Sequence, residues 1–406
     1  MIVAKFGGSS LASADRFKAV TDIICEDAAR KIIVCSAPGK RFAGDSKITD
    51  LLLYLAANYQ TPRLRLETEA EIEERFSAIL KGLGLKISDL FSADDYESYF
   101  KQDFSLLSPE SRSDLLLPLG EIFSAASLAA YLRKQGYNAK FCDAGKIGLS
   151  VYWAEDAYHV HGDSLVKLRA HISQLLAKHE LLLVPGFYGF DPQGYRRPLS
   201  RGGSDVTASW LAAATNSICE IWSDVSGVYE ADPNIIREAW KIDYLSYAEM
   251  LAMARFGTQI LHPEAIKPML DAEQVMYVKN SFRPQDIGTE INSYNLAKRV
   301  APLAVSMKRT SITTLLAING EGIEERRDLA QKGLELLRTL DPNAQVINEI
   351  KVPACLLFSI SDEFALEAYE TLWYHFIELS GWTINADYDL ELRQSPISLI
   401  DNSRDK

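Results

Sequence analysis

Residues 1–10 read Met-Ile-Val-Ala-Lys-Phe-Gly-Gly-Ser-Ser, and this stretch decides the class of fold. Its apolar, β-branched start predicts a strand over Ile2–Phe6, followed by a turn at the two glycines. Glycine lets backbone N–H groups come close to an anion, and Lys5 adds a positive charge. The stretch therefore indicates an anion site, although an ordinary tight turn explains it as readily, and it matches neither GxxxxGK[ST] nor GxGxxG.

The alternation of strand and helix continues through about residue 280. Further short apolar runs predict strands at Lys31–Ser36, Ala139–Asp143, Leu181–Phe187, Ile218–Asp224 and Val275–Lys279. Apolar stripes between these runs predict helices at Ala14–Asp27, Glu121–Lys134, Asp205–Ala214 and Ser246–Phe256. Strands that are apolar throughout are typical of a sheet covered on both faces, so the pattern predicts an α/β fold with a mainly parallel sheet.

Three regions depart from this alternation. Residues 60–117 are charged and helical, which predicts a helical excursion from the sheet, and the turn formers of residues 188–200 predict a hairpin or lid. From about residue 297 the order becomes βαββαβ, the ferredoxin-like order. We predict these elements at Ile312–Ile318, Glu324–Leu340, Ala344–Ile350, Pro353–Ile360, Glu363–Leu379 and Trp382–Leu392. The expected domains are 1–296 and 297–406.

The composition and net charge of the chain argue against several classes of function. A chain of 406 residues, 47% hydrophobic and 24% charged, can form two or three globular domains. A net charge of -12 without a basic stripe argues against nucleic-acid binding. We expect neither a signal peptide nor a membrane span. The five scattered cysteines are typical of a reducing, cytoplasmic location, and the spacing of His and Cys predicts no metal site.

A second glycine-rich entry to a helix reads SRGGSDVT at 200–207. Arg201 offers a bidentate grip on a carboxylate. Asp205 either takes part in the chemistry or only caps the helix. Two such entries in one α/β domain indicate a crevice at the carboxyl ends of the strands that holds two anionic groups.

Two further signals are weaker. The stretch IWSDVSGVYEADP at 221–233 runs off a strand into a polar loop, which suits an adenosine pocket or an ordinary turn with Tyr229 in the core. The stretch LGE at 119–121 places Glu121 at a helix start. There the carboxylate either interacts with the helix dipole or faces the ammonium group of a substrate.

Taken together, these motifs resemble those of the aspartokinase family of amino-acid kinases. Over essentially the first 290 residues, and in the family's order, the chain carries KFGGSS (5–10), CSAPGK (35–40), ITDLL (48–52), LGE (119–121), PGFYG (185–189), SRGGSDVT (200–207), SDVSGVYEADP (223–233) and FGTQILHP (256–263). RGGSD together with KFGGSS and DVxGVYxADP is highly specific. Other acyl-phosphate-forming kinases, such as acetylglutamate kinase, resemble this set less.

The resemblance implies a three-layer αβα sandwich with a mainly parallel sheet, followed by an ACT-like ferredoxin-like domain. It implies transfer of the γ-phosphoryl group of ATP to the β-carboxylate of L-aspartate, the first step towards lysine, threonine and methionine. ATP and Mg2+ are the implied cofactors, with Mg2+ held mainly by the phosphates. A cytoplasmic homodimer formed through the C-terminal domain is also implied, with no nucleic-acid or membrane partner.

The resemblance also implies roles for individual residues. Lys5 would reach the phosphoryl group in transit, and Asp205 would organise Lys5 and the reacting groups. Arg201 would hold the α-carboxylate of aspartate, and Glu121 its α-amino group. The remaining implied contacts are Ser36, Thr49 and Ser204 in the substrate pocket, and Gly7, Gly8, Ser9, Ser223, Asp224 and Tyr229 beside Lys5 at the nucleotide.

The chain departs from the family at two positions expected to touch nucleotide phosphates. Asn234 stands where many members have arginine after ADP, and Gln259 stands where many have lysine in FGxK. We hypothesise weaker ATP binding without loss of activity, because Lys5, Arg201 and Asp205 remain. Replacing Asn234 by Arg and Gln259 by Lys should then lower the Michaelis constant for ATP.

The C-terminal region departs further. About 110 residues remain for one βαββαβ module, where the family usually has two ACT modules, and the usual effector loop is not apparent near Asn319–Glu324. A packing or dimerisation module and an effector-binding module both stay open. Two other functions also stay open. One is a kinase with a different carboxylate acceptor, and the other is a weakly active sensor or partner subunit that binds ATP without turnover.

Overall fold

The computed structural model describes residues 1–100, 104–200, 202–293, 301–347 and 352–378. The chain divides into two compact units, the first being Met1–Ser226 with Glu264–Gly288 and the second Gly227–Pro263 with the described residues from Thr289 onward. The chain thus enters the second unit twice. The boundary predicted between residues 296 and 297 lies outside the described residues, so the division into 1–296 and 297–406 stays a prediction.

The first unit is built on parallel strands. Their spatial order is Met276–Asn280, Ile218–Ser223, Ile2–Phe6, Arg30–Cys35, Leu181–Pro185 and Ala139–Phe141. Each was predicted from its apolar run, and the observed ends differ from the predicted ends by at most two residues. Val3 and Ala4 are completely buried, as expected of a strand covered on both faces. The predicted mainly parallel α/β sheet is confirmed.

Helices connect these strands. Ser13 caps the first of them, because its side chain accepts a hydrogen bond from the backbone N–H of Arg16 at 3.4 Å. The described helices of this unit are Ala14–Glu26, Ile48–Asn58, Pro62–Leu83, Ile87–Leu90, Ala93–Phe100, Pro109–Leu116, Leu119–Lys134, Ser164–Leu176, Gly203–Thr215 and Pro263–Asp271. A short 3-10 turn, Ser9–Leu11, separates the first glycine turn from the first α-helix.

The region predicted as a helical excursion holds the helices between Pro62 and Leu116. Its long helix, Pro62–Leu83, is charged but keeps a buried stripe. The stretch Pro109–Lys134 has the length and apolar composition of a membrane span, but 83% of its apolar window is buried inside the protein, as in the core helix of a globular unit. This single candidate is therefore weak evidence for a membrane span.

Two antiparallel hairpins complete the first unit. Val151–Ala154 pairs with Ala157–Val160, and Tyr188–Phe190 pairs with Arg196–Pro198. The second pair confirms the hairpin predicted for residues 188–200. It leads directly into the loop before helix Gly203–Thr215, so it places the start of that helix beside the sheet.

The second unit is built on an antiparallel sheet with the order Ala304–Arg309, Thr314–Asn319, Cys355–Ile360 and Gln345–Val346. The helices of this unit are Tyr247–Arg255, Arg327–Leu340 and Ala365–Trp373, followed by a π-helical turn at Tyr374–Glu378 and accompanied by 3-10 turns at Ile323–Glu325 and Asp362–Phe364. Two short strand pairs also belong to it: Val228–Tyr229 with Lys241–Ile242, and Tyr244–Ser246 with Thr289–Asn292.

Residues 227–263 belong to this unit because they share its core. Ile236 packs in the same apolar cluster as Leu316 and Phe358, and the backbone N–H of Asp232 donates to the hydroxyl of Tyr369 at 2.7 Å. The sequence pattern gave no sign of this packing, since the contacts join segments more than 70 residues apart.

The predicted order of the C-terminal elements needs a correction. Strand Ala304–Arg309 was missed, and it lies antiparallel beside Thr314–Asn319. The next five elements follow in the predicted order βαββα, so the described elements run ββαββα. Half of the missed strand is polar or charged, and its identity as a strand depends on pairing with its neighbour. The predicted last strand, Trp382–Leu392, lies outside the described residues.

Candidate functional site

The candidate site lies in the first unit, where the carboxyl ends of the parallel strands meet at one edge. Gly7, Ser36 and Gly186 follow three of these strands directly. Each donates its backbone N–H to a carbonyl at the end of the neighbouring strand, at 3.0, 3.1 and 3.0 Å respectively. The loops after the strands are therefore fixed to one another, and this edge is where ligands bind in open α/β sheets.

A buried ion pair stands at the centre of this edge. Lys5 Nζ lies 2.6 Å from Asp205 Oδ1, and the two side chains are 10% and 12% exposed. Asp205 is the third residue of helix Gly203–Thr215, whose N-cap is Gly202 with a φ of 83°. The interpretation of Asp205 as a helix cap is therefore wrong, because its carboxylate holds the Lys5 ammonium instead.

The first glycine turn packs tightly against the loop that follows strand Arg30–Cys35. The carbonyl of Gly8 accepts the backbone N–H of Gly39 at 2.8 Å. A Cβ atom at Gly39 would lie 2.6 Å from the carbonyl carbon of Gly8, so only glycine allows this approach. Gly7 lies close to the lysine, since a Cβ there would be 3.7 Å from Lys5 Nζ. The predicted residues Lys5, Gly7 and Gly8 are thus brought together.

Glu121 is the most perturbed acid of the site. It is 4% exposed, and burial raises the pKa of its carboxyl to about 8, although the backbone N–H of Ala37 and the charge of Lys5 both favour ionisation. Its Oε2 has no hydrogen-bond partner among the described residues. Burying such an oxygen is costly, so the site is suited to a donor supplied by a ligand.

Helix Leu119–Lys134 begins two residues earlier than predicted, so Glu121 is the third residue of its first turn. Desolvation dominates over the helix dipole here, since the pKa is raised and the dipole would lower it. The interpretation of Glu121 as a residue placed only for the helix dipole is therefore disfavoured.

Three other predicted substrate contacts lie just after a strand of the parallel sheet or in the first turn of a helix. Ser204 is buried, and a Cβ at Gly186 would lie 2.7 Å from its Oγ. Ser36 and Thr49 are half-buried. Thr49 lies in the first turn of helix Ile48–Asn58, whose first backbone N–H donates to the carbonyl of Pro38 at 3.1 Å. Arg201 lies outside the described residues, so its role stays a prediction.

On the other side of the glycine turn, the hydroxyls of Ser10 and Ser281 lie 2.6 Å apart. The backbone N–H of Ser281 donates to the carbonyl of Ser223 at 2.8 Å. Ser9 and Ser223 are half-buried and Asp224 is exposed. Sequence reasoning missed Ser281, although it directly follows strand Met276–Asn280 as Asp224 directly follows strand Ile218–Ser223.

Some predicted nucleotide contacts lie in the second unit. Tyr229 is half-buried in the short strand Val228–Tyr229, and Asn234 and Gln259 are exposed. The amide of Asn234 donates to Asp232 Oδ1 at 3.0 Å. The motif over residues 223–233 is thus divided between the two units after Ser226.

The described site combines opposite charges in a water-poor setting. Lys5 offers a cation with adjacent backbone N–H groups, which suits an anion such as a phosphoryl group. Glu121 offers a carboxylate with an unpartnered oxygen, which suits a cation such as an ammonium group. An amino acid and a phosphorylated nucleotide carry these two charges.

Comparison with known proteins gives the family. The sequence profile of the amino acid kinase family matches residues 1–280. Aspartokinase 3 of Bacillus subtilis is 34% identical over 295 residues, which are 72% of this chain and 64% of the relative. The chain thus spans less than two thirds of that protein's length. The aspartokinase of Chlamydia pneumoniae is 30% identical over 334 residues, which are 80% of this chain and 71% of the relative.

A solved structure agrees with these sequence matches. Aspartokinase III of Escherichia coli, solved in complex with aspartate and ADP, superposes with a TM-score of 0.67 at 25% identity. The superposition covers 92% of this chain and 82% of that one. From the profile match and the Chlamydia relative, the chain belongs to the amino acid kinase family and, within it, to the aspartokinases.

Proposed function

We propose that this protein is an aspartate kinase, which transfers the γ-phosphoryl group of ATP to the β-carboxylate of L-aspartate. The observation that carries the proposal is the buried Glu121, whose unpartnered oxygen stands at the same sheet edge as the Lys5–Asp205 pair. An amino-acid acceptor requires a group for its ammonium, and a phosphoryl donor requires a cation. The family membership and the aspartate–ADP complex of the Escherichia coli relative support the same reaction.

The reaction needs no strong base. The β-carboxylate is ionised near neutral pH, since its reference pKa is about 3.9. One of its oxygens forms a bond to the γ-phosphorus, the bond from that phosphorus to the bridging oxygen breaks, and ADP leaves with the electron pair. The products are 4-phospho-L-aspartate and ADP. Because two anions must meet, catalysis consists mainly of positioning and of charge stabilisation.

Each residue then has a task. Lys5 neutralises the phosphoryl group in transit, and Asp205 keeps the Lys5 ammonium at a fixed place between helix and strand. We assign the backbone N–H groups of Gly8 and Ser9 to the same phosphates, whereas the N–H of Gly7 already donates to the carbonyl of Trp222 at 3.0 Å. Glu121 receives the substrate ammonium.

Arg201 holds the α-carboxylate, and Ser36, Thr49 and Ser204 complete the pocket. On the nucleotide side we assign contacts to Ser223 and Asp224, while the role of Tyr229 stays a prediction from the sequence. Mg2+ enters as MgATP, with phosphate and water oxygens as its main ligands. This assignment fits the donor set, because the buried carboxylate of Asp205 is already engaged by Lys5 at 2.6 Å.

Beyond the catalytic unit, we propose that the C-terminal region is an ACT-like module through which the cytoplasmic protein forms a homodimer. The four-stranded antiparallel sheet with helices Arg327–Leu340 and Ala365–Trp373 supports a module of that kind. Effector binding stays open. The product would serve the biosynthesis of lysine, threonine and methionine.

A hydroxamate trapping assay tests the proposed reaction. The full chain is incubated with MgATP and L-aspartate, while glutamate and N-acetylglutamate serve as parallel acceptors. We expect aspartyl hydroxamate from aspartate alone. Product from another acceptor would move the assignment to a different carboxylate substrate, and ATP binding without product from any acceptor would favour a sensor.

A further inference from the structure

The segment of residues 36–47, here called the 36–47 loop, contacts both halves of the proposed site. At its start, Ala37 packs against the first turn of helix Leu119–Lys134, since a Cβ at Gly120 would lie 2.5 Å from Ala37 Cβ, and its backbone N–H favours the ionised form of the adjacent Glu121. Two residues later, the backbone N–H of Gly39 donates to the carbonyl of Gly8 at 2.8 Å. A shift of this loop would therefore move a donor away from the amino-acid side and loosen the glycine turn on the phosphoryl side.

One side chain from outside the loop holds it. Arg75 Nη2 donates to the carbonyl of Gly39 at 2.5 Å, and its Nη1 donates to the carbonyl of Ser46. Arg75 belongs to the long helix Pro62–Leu83 and is 1% exposed. Its guanidinium thus bridges Gly39 and Ser46 of the 36–47 loop. None of the site residues predicted from the sequence lies on this helix.

One carboxylate of the loop, Asp45, faces Arg75. Asp45 Oδ2 accepts from the backbone N–H and the Nε of Arg41, both at 2.9 Å, and lies 3.7 Å from Arg75 Nη2. The hydrogen bonds from Arg41 and the positive charge of Arg75 hold the pKa of Asp45 well below its usual range. A buried guanidinium is costly without such partners, so its burial favours this loop conformation over others.

We propose that Arg75 is a positioning residue for the phosphoryl transfer, acting through the 36–47 loop on Glu121 and on the glycine turn at Gly8. Arg75 touches the backbone of the loop and Asp45, and the proposal gives it no direct contact with either substrate. The role in catalysis rests on the proposed function. The holding of the loop does not, because it follows from the hydrogen bonds alone.

Arg112 provides a matched control. It is 2% exposed, lies in the same helical excursion, and donates to the carbonyls of Phe104, Ala56 and Leu107 at 3.1, 2.8 and 2.8 Å. None of these carbonyls belongs to the 36–47 loop. Arg75→Met and Arg112→Met each remove a buried guanidinium that binds backbone carbonyls, so both should lower the midpoint of thermal unfolding, and only the first should release the loop.

The kinetic test compares the two variants below their unfolding temperatures. We expect Arg75→Met to lower kcat/KM for aspartate by about 100-fold, because a displacement of about 1 Å in a positioned group can cost that much. Arg75→Lys keeps the cation beside Asp45 and should recover part of the loss. Arg112→Met should stay within a few-fold of the unaltered protein. Equal losses in the Arg75→Met and Arg112→Met variants would overturn the proposal.

A pH profile separates positioning from general destabilisation. A shift of Ala37 displaces a backbone N–H that favours the ionised form of Glu121, while the charge of Lys5 and the thiol of Cys35 still act on this carboxylate. The rise of kcat/KM for aspartate with pH should therefore move to higher pH in Arg75→Met and stay in place in Arg112→Met. An unmoved profile in Arg75→Met would contradict the proposal.

Hydrogen–deuterium exchange supplies a readout that needs no activity. Peptides covering residues 36–47 should exchange faster in Arg75→Met than in the unaltered protein, and at the unaltered rate in Arg112→Met. If the unaltered protein did not phosphorylate aspartate, the proposed function would be wrong. The exchange rates would still show whether Arg75 holds the 36–47 loop. Unchanged exchange in Arg75→Met would refute that holding role.

Discussion

Glu121 in the first unit and Asp341 in the second are both buried carboxylates, 4% and 1% exposed, yet their pKa values shift in opposite directions. Burial raises the pKa of Glu121 to about 8. The pKa of Asp341 is lowered because the backbone N–H and hydroxyl of Ser361 and the backbone N–H of Asn343 donate to it. These three bonds measure 2.9, 2.7 and 2.9 Å.

Two things differ: Glu121 lies deeper in the protein, so desolvation dominates its pKa, and Asp341 has the fixed donors that Glu121 lacks. Both oxygens of Asp341 accept hydrogen bonds from fixed N–H or O–H groups, so its charge is compensated inside the protein. Its carboxylate also connects the end of helix Arg327–Leu340 to Ser361. Oε2 of Glu121 has no partner among the described residues. A buried carboxylate that is fully hydrogen bonded indicates a structural role, and one that is left open indicates a binding site.

Lys5→Ala should have the largest effect, because it removes the cation that faces both the phosphoryl group and Glu121. We expect kcat at saturating substrates to fall by about 1,000-fold, as measured by ADP release. Asp341→Asn, in the other unit, is the control and should keep its kcat. If the kcat of Lys5→Ala were within tenfold of that of the unaltered protein, Lys5 would not have the proposed role in phosphoryl transfer.

Glu121→Gln should raise the Michaelis constant for aspartate by about 100-fold, because a charged hydrogen bond to the ammonium is worth roughly 1.5–3 kcal/mol. The constant for ATP should change little. Initial rates over a range of aspartate concentrations measure the effect. An unchanged constant for aspartate would show that Glu121 does not bind the ammonium.

The same variant should gain stability at the pH where Glu121 ionises. The folded-state pKa of about 8 lies above the ordinary glutamate value of 4.5, so the free energy of unfolding falls as pH rises through this interval. Glutamine cannot ionise and lacks this loss. Thermal unfolding should therefore show Glu121→Gln to be more stable than the unaltered protein at pH 8. At pH 5 this difference in stability should be much smaller. A gap independent of pH would argue against a raised pKa.

Asp341→Asn should destabilise the second unit by about 2 kcal/mol, because two backbone N–H groups and a hydroxyl lose a charged acceptor. Since the folded-state pKa of Asp341 is lowered, this contribution is present above the unfolded pKa and is lost as pH falls through the folded pKa. Urea unfolding at neutral and acidic pH measures it. The exposed Asp328, which pairs with Arg326 at 2.6 Å, supplies the control Asp328→Asn, which should leave stability nearly unchanged.

Ser361→Ala should have the smallest effect, about 1 kcal/mol, because Asp341 keeps both backbone donors and loses one hydroxyl. NMR titration should show the pKa of Asp341 moving part of the way back towards its ordinary value. If the pKa of Asp341 did not change, the hydroxyl of Ser361 would not contribute to lowering it. The backbone N–H groups would then be the donors responsible.

The sequence predicted a large part of the candidate site because its signals are local. Glycine turns, strand ends and helix starts each occupy a few adjacent residues, so Lys5, Gly7, Gly8 and Asp205 could be assigned before their contacts were seen. Arg75 was not assigned. A signal for it does exist, since it continues the buried stripe formed by Ile72 and Ile79 on an otherwise charged helix.

Local sequence patterns were enough to predict the strands of the parallel sheet and the two glycine-rich turns, because apolar periodicity and glycine conformations act over a few residues. Tertiary structure alone decided that residues 227–263 join the second unit, that Ala304–Arg309 is a strand, and that Glu121 keeps an open oxygen. Each of these depends on packing or pairing between distant segments. Desolvation and hydrogen-bond satisfaction are properties of the folded surroundings, and no local pattern encodes them.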